Sequence, residues 1–143
     1  MKKLGLFLMV TLLAACKQTT SENGSFTGTN TNAIIEFEEN SFDFGSMTEG
    51  DKVSHAFKFK NVGTDPLEVL SVNVSCGCTV ASKPLGAVGV GQTDEIVINF
   101  NSASKVGMNK KSVGVFSNAL NSNETLTFTA MVEAQKGAET DLK

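Results

Sequence analysis

Apolar and polar residues alternate along most of this chain after residue 33, with the period of two that is typical of half-buried β-strands. In the clearest run, one face consists of Val53, His55, Phe57 and Phe59, and mostly polar residues fill the positions between them. The other runs begin at Ile35, Phe42, Leu67, Ile96, Val113 and Leu126. No run has the 3.6-residue period of an amphipathic helix, so the pattern predicts an all-β domain.

Turn-forming residues separate these runs at 49–51, 61–66, 86–91, 101–109 and 117–124. About seven or eight short strands at such spacing predict a single antiparallel β-sandwich of immunoglobulin type. A closed barrel is the alternative, but the long connections favour the sandwich. The run from Leu67 to Val74 changes face midway, which predicts a β-bulge. Since the chain has no Trp, phenylalanines are expected to fill the core.

The N-terminus has the plan of a secretory signal peptide over residues 1–15. Lys2 and Lys3 precede an apolar stretch, and small residues follow it. The apolar stretch is shorter than the roughly 20 residues that a membrane span needs. The segment therefore predicts export.

The sequence Leu13-Ala14-Ala15-Cys16 resembles the bacterial lipobox. The resemblance implies that Cys16 is acylated and becomes the first residue of the mature protein, with the lipid bilayer as its partner. One acyl chain anchors only marginally, whereas several hold a protein firmly. Lys17 stands where Asp signals retention in the inner membrane, so we expect the outer membrane. Residues 17–22 contain a single acid, which favours the periplasmic side over the cell surface.

Polar composition predicts a disordered tether over residues 16–32 and a flexible tail over 134–143, with the sandwich at 33–133 between them. Removing the signal takes away two lysines and changes the formal charge from −3 to −5. An acidic chain of this kind offers no basic patch for nucleic acid. The absence of Trp and Tyr argues against recognition of sugars or bases by stacking.

Several motifs together resemble the domain of unknown function 1573 family, over about residues 34–132. They are Phe42-Asp43-Phe44-Gly45, Asn61-Val62-Gly63, Ser75-Cys76-Gly77-Cys78-Thr79 and Ser117-Asn118-Ala119. The resemblance implies an immunoglobulin-like module of the abnormal-spindle and Hydin type, in a family whose members are often exported or lipidated. It predicts the fold and leaves the biochemical role unassigned.

With Cys16 lipidated, Cys76 and Cys78 are the remaining cysteines of the three in the chain. The oxidising envelope favours a disulfide between them, and Gly77 relieves the backbone constraint of such close spacing. Three other hypotheses stay open. The pair can be two buried reduced thiols, a redox-active dithiol, or a soft-metal site, most plausibly for copper(I).

His55 is the single histidine and lies on the apolar face of its run. The simpler interpretation is a core-edge residue with a ring nitrogen bonded to a backbone carbonyl. The alternative makes His55, Cys76 and Cys78 ligands of zinc or copper(I), with Met47 or Met108 assisting copper.

No catalytic triad, phosphate-binding glycine loop or standard metal motif is present in the sequence. We therefore expect a non-catalytic binding or structural module of the cell envelope, without a cofactor. Its partner is expected to be an envelope protein, bound through a sheet edge or through the loops at one end. The alternative is a thiol–disulfide or copper(I)/zinc function of the Cys76–Cys78 pair.

Overall fold

The computed structural model describes residues 31–77 and 79–135. Within them the chain forms β1 (Ile35–Phe37), β2 (Ser41–Thr48), β3 (Lys52–Asn61), β4 (Val69–Val74), β5 (Thr79–Ser82), β6 (Thr93–Asn101), β7 (Gly107–Ser117) and β8 (Asn123–Glu133). In this described part, no helix is long and apolar enough to cross a membrane. The prediction of an all-β domain is confirmed.

The eight strands form two four-stranded sheets that pack as a sandwich. The first sheet has the order β1-β3-β6-β5, and the second has the order β2-β8-β7-β4. This order is that of an immunoglobulin-type sandwich, as the strand spacing predicted. Every pairing is antiparallel except that of β2 with β8, which is parallel. The exception arises because the connection after Phe37 moves the chain from the edge of the first sheet to the edge of the second.

Phenylalanines fill the centre of the sandwich. Phe57 and Phe59 from β3, Phe100 from β6 and Phe128 from β8 are each at most 1% exposed. The rings of Phe100 and Phe128 meet between the sheets, with centroids 5.3 Å apart. Full burial of such a side chain contributes about 1.5–3 kcal/mol, so these rings are a principal source of stability.

Strands β2 and β4 each contain a register shift relative to the strand with which they pair. The register of β4 against β7 shifts between Val69 and Ser71, which confirms the predicted bulge. A second shift occurs in β2 between Asp43 and Ser46, where Gly45 has a φ of 69°. Glycine adopts this left-handed conformation without steric cost, and the bend keeps β2 paired with β8 on both sides of it.

Strand β7 is much longer than the alternation around Val113 and Val115 predicts, because it begins at Gly107. The apolar–polar alternation did not indicate this first part of β7, because Asn109, a polar residue, occupies one of its buried positions. Its Nδ2 donates to the backbone oxygens of Lys105 at 2.6 Å and Gly107 at 3.0 Å. These bonds satisfy the buried amide, and the predicted loop over 101–109 is correspondingly shorter.

Candidate functional site

A groove of about 590 Å³ lies on the outer side of the first sheet, where β3 begins and β6 ends. Lys52 pairs in register with Asn101, and Ser54 pairs with Asn99. All four side chains are exposed and occupy the outward positions of their strands. The floor of the groove therefore presents one ammonium group, one hydroxyl and two amides.

One wall of the groove is the connection between β6 and β7, which is tied down at both ends. Ser102 is fully buried, and its hydroxyl oxygen lies 2.9 Å from the backbone oxygen of Thr48 and 3.0 Å from that of Asp51, so its single proton is shared between these two acceptors. At the other end, the carbonyl of Lys105 accepts the amide of Asn109. These bonds hold the backbone of Lys105, whose side chain lines the groove.

The middle of this connection is held by two further side chains. The amide oxygen of Asn101 accepts the backbone N–H of Ala103 at 3.1 Å. A carboxylate oxygen of Glu49 accepts the N–H of Ser104 at 3.0 Å. Ser104 has a φ of 57°, a conformation unfavourable for most non-glycine residues. The surrounding bonds maintain it, so this wall has a defined shape.

A second wall of the groove is formed at Gly77, in the connection from β4 to β5, where the chain crosses from the second sheet to the first. Ser75 and Ser112 exchange two hydrogen bonds, at 3.1 Å and 3.2 Å. The backbone N–H of Thr79 donates to the carbonyl of Cys76 at 3.3 Å, closing a turn around Gly77, which lines the groove. The Cys76 sulfur also lies 3.5 Å from the Thr79 hydroxyl oxygen.

Cys76 is disulfide-bonded in this structure and therefore does not titrate as a thiol. Cys78 and Cys16 lie outside the described residues. The pairing of Cys76 with Cys78 and the acylation of Cys16 remain predictions. What the structure adds is the location of Cys76, beside an open groove at a crossing between the two sheets.

His55 lies on β3, where its ring nitrogen Nε2 donates to a Glu39 carboxylate oxygen at 2.8 Å. Its ring stacks on Phe42 and meets Phe57 edge to face, with centroids 4.7 Å apart. The predicted backbone-carbonyl partner is therefore wrong. Glu39 belongs to the connection between β1 and β2, which the hydrophobic alternation does not position.

The described residues contain no group of three His, Cys, Asp or Glu side chains placed to hold a metal ion. Because Cys78 lies outside them, the site composed of His55, Cys76 and Cys78 remains untested. Met47 is 9% exposed and packs in the core, whereas Met108 is 67% exposed at the register position opposite Met131.

Sequence reasoning did not bring Lys52, Asn99, Asn101 and Lys105 together as a site. Alternation alone assigns Lys52 and Asn99 to the outer face of their strands. The register between β3 and β6, and the path of the following connection, are what bring them together. Once the pairing of β3 with β6 is known, the polar residues at the end that these two strands share indicate the groove.

The strand order and the phenylalanine core between the two sheets define an immunoglobulin-like β-sandwich domain. The family described as protein of unknown function DUF1573 matches residues 35–132. The chain belongs to this family, which confirms the resemblance seen in its motifs. The comparison with curated proteins found no match.

Several solved structures share the fold. A protein of unknown function from Porphyromonas gingivalis W83 is 16% identical with a TM-score of 0.63, and the match covers 77% of this chain and 51% of that one. This chain thus spans about half the length of that protein. The ASH/PapD-like domain 7 of human CEP192 is 12% identical with a TM-score of 0.53, and the match covers 91% of this chain and 99% of that domain. A family 123 glycoside hydrolase from Clostridium perfringens is 12% identical with a TM-score of 0.54, and the match covers 71% of this chain and 27% of the hydrolase. At these identities the likeness concerns the fold alone.

Proposed function

We propose that the protein is a lipid-anchored, non-catalytic binding module of the bacterial cell envelope. The proposed anchor is Cys16, and the proposed order along the chain is signal peptide, acylated cysteine, polar tether and sandwich. The observation that supports a binding role is the groove between the β4–β5 and β6–β7 connections. Both of its walls are held by hydrogen bonds from neighbouring elements, so a ligand need not order them on binding.

The anchor is tested by Cys16→Ser in the native host. We expect the wild-type protein in the membrane fraction, with a mature mass that includes acyl chains, and the variant in the soluble fraction. Cys76→Ser is the matched control, since it removes a different cysteine and should leave the protein in the membrane fraction. A Cys16→Ser protein that stays with membranes would refute the anchor.

The binding role is tested by placing a photo-crosslinking amino acid at Ser54, inside the groove, in living cells. Thr125, which is exposed on β8 of the other sheet, is the control position. We expect an adduct of defined mass from position 54 and none of that mass from position 125. The same adducts from both positions, or none from position 54, would count against the groove as the binding site.

A second candidate function is thiol–disulfide exchange, favoured by the position of the Cys76 disulfide next to the groove. In this step an external thiolate attacks one sulfur of the disulfide. The S–S bond breaks, a mixed disulfide forms, and the other cysteine leaves as a thiolate. We propose Cys78 as the partner cysteine. The test is the mass of the mature protein after alkylation, before and after exposure to a small thiol. Failure to gain either one alkyl group together with the mass of the small thiol, or two alkyl groups once a second thiol has resolved the mixed disulfide, would exclude exchange under native conditions.

A further inference from the structure

The charged side chains among the described lining of the groove are both lysines, although the chain as a whole is acidic. The chain carries a formal net charge of −3, yet the described groove lining contains Lys52 and Lys105 and no carboxylate. The other end of the same sheet differs, because a second depression of about 400 Å³ is lined there by Glu38, Asp94 and Glu95 around Lys58. A ligand that prefers the first site over the second is therefore anionic.

The remaining groups of the groove are suited to a peptide. Asn99 contributes an amide that can both donate and accept hydrogen bonds, as an extended backbone requires, and Asn101, whose Oδ1 already accepts the Ala103 N–H, contributes an Nδ2 donor. Phe100 lines the groove but is only 1% exposed, so its ring faces the core. A carbohydrate site usually presents an aromatic face, and none is exposed among the described lining residues.

The two lysines are held on separate elements, Lys52 at the start of β3 and Lys105 on the β6–β7 connection. Ser102 joins these elements, because its N–H donates to the carbonyl of Asp51, the residue before Lys52, and its hydroxyl bridges the carbonyls of Asp51 and Thr48. Their backbones are thus fixed relative to each other. Two cations at fixed backbone positions favour a ligand that carries more than one carboxylate.

We infer that the groove binds an acidic peptide segment, with Lys52 and Lys105 pairing with its carboxylates and Asn99 and Asn101 bonding its backbone. This inference rests on the proposed binding function and specifies the chemistry of its partner. The Cys76 disulfide, next to Gly77 in the sequence, is not required to react.

The test uses the purified mature protein in a non-ionic detergent and a fluorescent eight-residue peptide of alternating Glu and Ser. Anisotropy should show binding that weakens as salt is added, and the same peptide with Gln for Glu should bind far less. We expect Lys52→Gln and Lys105→Gln each to weaken binding about two- to five-fold, as exposed ion pairs do, and the double variant about ten-fold.

Lys58→Gln is the matched control, because Lys58 is an exposed lysine on the outer face of the same strand. It should leave the affinity unchanged, and equal melting temperatures should show that all variants fold. Unchanged binding by the double variant, or equal binding of the Gln peptide, would overturn the inference. Tighter binding of an acidic oligosaccharide of equal charge would overturn the peptide assignment. If peptide binding fails while position 54 still forms its adduct in cells, the binding module stands and the acidic peptide does not.

Discussion

The ring of His55 stacks on that of Phe42, with centroids 3.5 Å apart and an interplanar angle of 9°. His55 belongs to β3 of the first sheet and Phe42 to β2 of the second, so the stack joins the two sheets. Glu39 precedes β2 and accepts a hydrogen bond from the same imidazole at 2.8 Å. Together these contacts hold the segment where the chain changes sheets.

We predict that the His55–Phe42 stack couples the two residues energetically. A double-mutant cycle with His55→Ala and Phe42→Ala, followed by urea unfolding, should give a coupling free energy of about 0.5–1.5 kcal/mol. The Glu39→Gln variant should cost less than about 1 kcal/mol, because the Glu39 side chain is 44% exposed. A coupling indistinguishable from zero would mean that the stack does not stabilise the sandwich.

The sequence predicted the face on which His55 lies but not its partners. Alternation assigns a side chain to one face of a strand, and that part of the prediction holds for β3. Phe42 and Glu39 come to His55 through the packing of two sheets and the course of a short connection. Neither is encoded in local periodicity, which explains why the hydrogen-bond partner was predicted wrongly.

Gly63 lies against the backbone that enters β1. A β-carbon at this position would stand 2.2 Å from the carbonyl oxygen of Asn32 and 2.5 Å from the nitrogen of Ile34. Backbone atoms cannot move aside as the end of a side chain can, so we expect Gly63→Ala to destabilise the domain by about 3 kcal/mol or more. Thermal unfolding would show this as a melting temperature lower by well over about 10 °C.

Gly86→Ala is the control for this prediction. Nothing lies within 4 Å of a β-carbon at Gly86, and its φ is not in the left-handed range. This substitution should be neutral or should stabilise the domain by up to about 1 kcal/mol. Similar melting temperatures for the Gly63 and Gly86 variants would contradict the close approach seen at Gly63.

Asn61 is fully buried at the end of β3 and satisfies three backbone groups. Its Nδ2 donates to the carbonyls of Asp65 at 2.9 Å and Val88 at 3.0 Å, and its Oδ1 accepts the N–H of Gly63 at 3.1 Å. Asn61→Ala removes the side-chain partner of the Asp65 carbonyl and the Gly63 N–H, while the Val88 carbonyl keeps the N–H of Leu67, so we expect a loss of about 3 kcal/mol in the free energy of unfolding.

Asn61→Asp should be worse than Asn61→Ala at neutral pH, because a carboxylate would face the two carbonyls that now accept hydrogen bonds. Asn73→Ala, at an exposed position of β4, is the control and should change stability by less than about 0.5 kcal/mol. Urea unfolding of the three variants measures these differences. An Asn61→Asp variant as stable as the Asn61→Ala variant would show that the amide donors are not what matters.

The candidate groove was less predictable than the fold. The fold follows from a period of two, from turn residues and from a core of large apolar side chains, all of which are local in the sequence. The groove depends on the pairing of Lys52 with Asn101 and on hydrogen bonds of Ser102 and Glu49. These bonds join residues more than fifty positions apart in the sequence, so local patterns do not indicate them. The cysteine motif stood out in the sequence because the chain has few cysteines, but it predicted no groove; that Gly77 of this motif lines one is visible only in the structure.

Asp43 gives a prediction about pH. The backbone N–H of Gly45, and then the hydroxyl of Thr129, hydrogen-bond its carboxylate and hold its pKa below the usual value of 3.8. A lowered pKa in the folded state means that the ionised carboxylate stabilises the fold. That contribution is complete above pH 3.8, and it is lost as the pH falls through the lower folded pKa.

The Asp43→Asn variant isolates this effect, because its amide oxygen can still accept the Gly45 N–H but carries no charge. We expect the wild-type protein to be the more stable of the two at pH 7, and the difference to shrink below pH 3.8. The free energy of unfolding in urea, measured for both proteins from pH 7 to pH 2, provides the comparison. Since Asp43 contacts Thr129 on the outer face, Thr129→Val should reduce the pH-dependent difference as well. A difference between the wild-type protein and the Asp43→Asn variant that stays constant over this range would show that the charge of Asp43 contributes nothing to the fold.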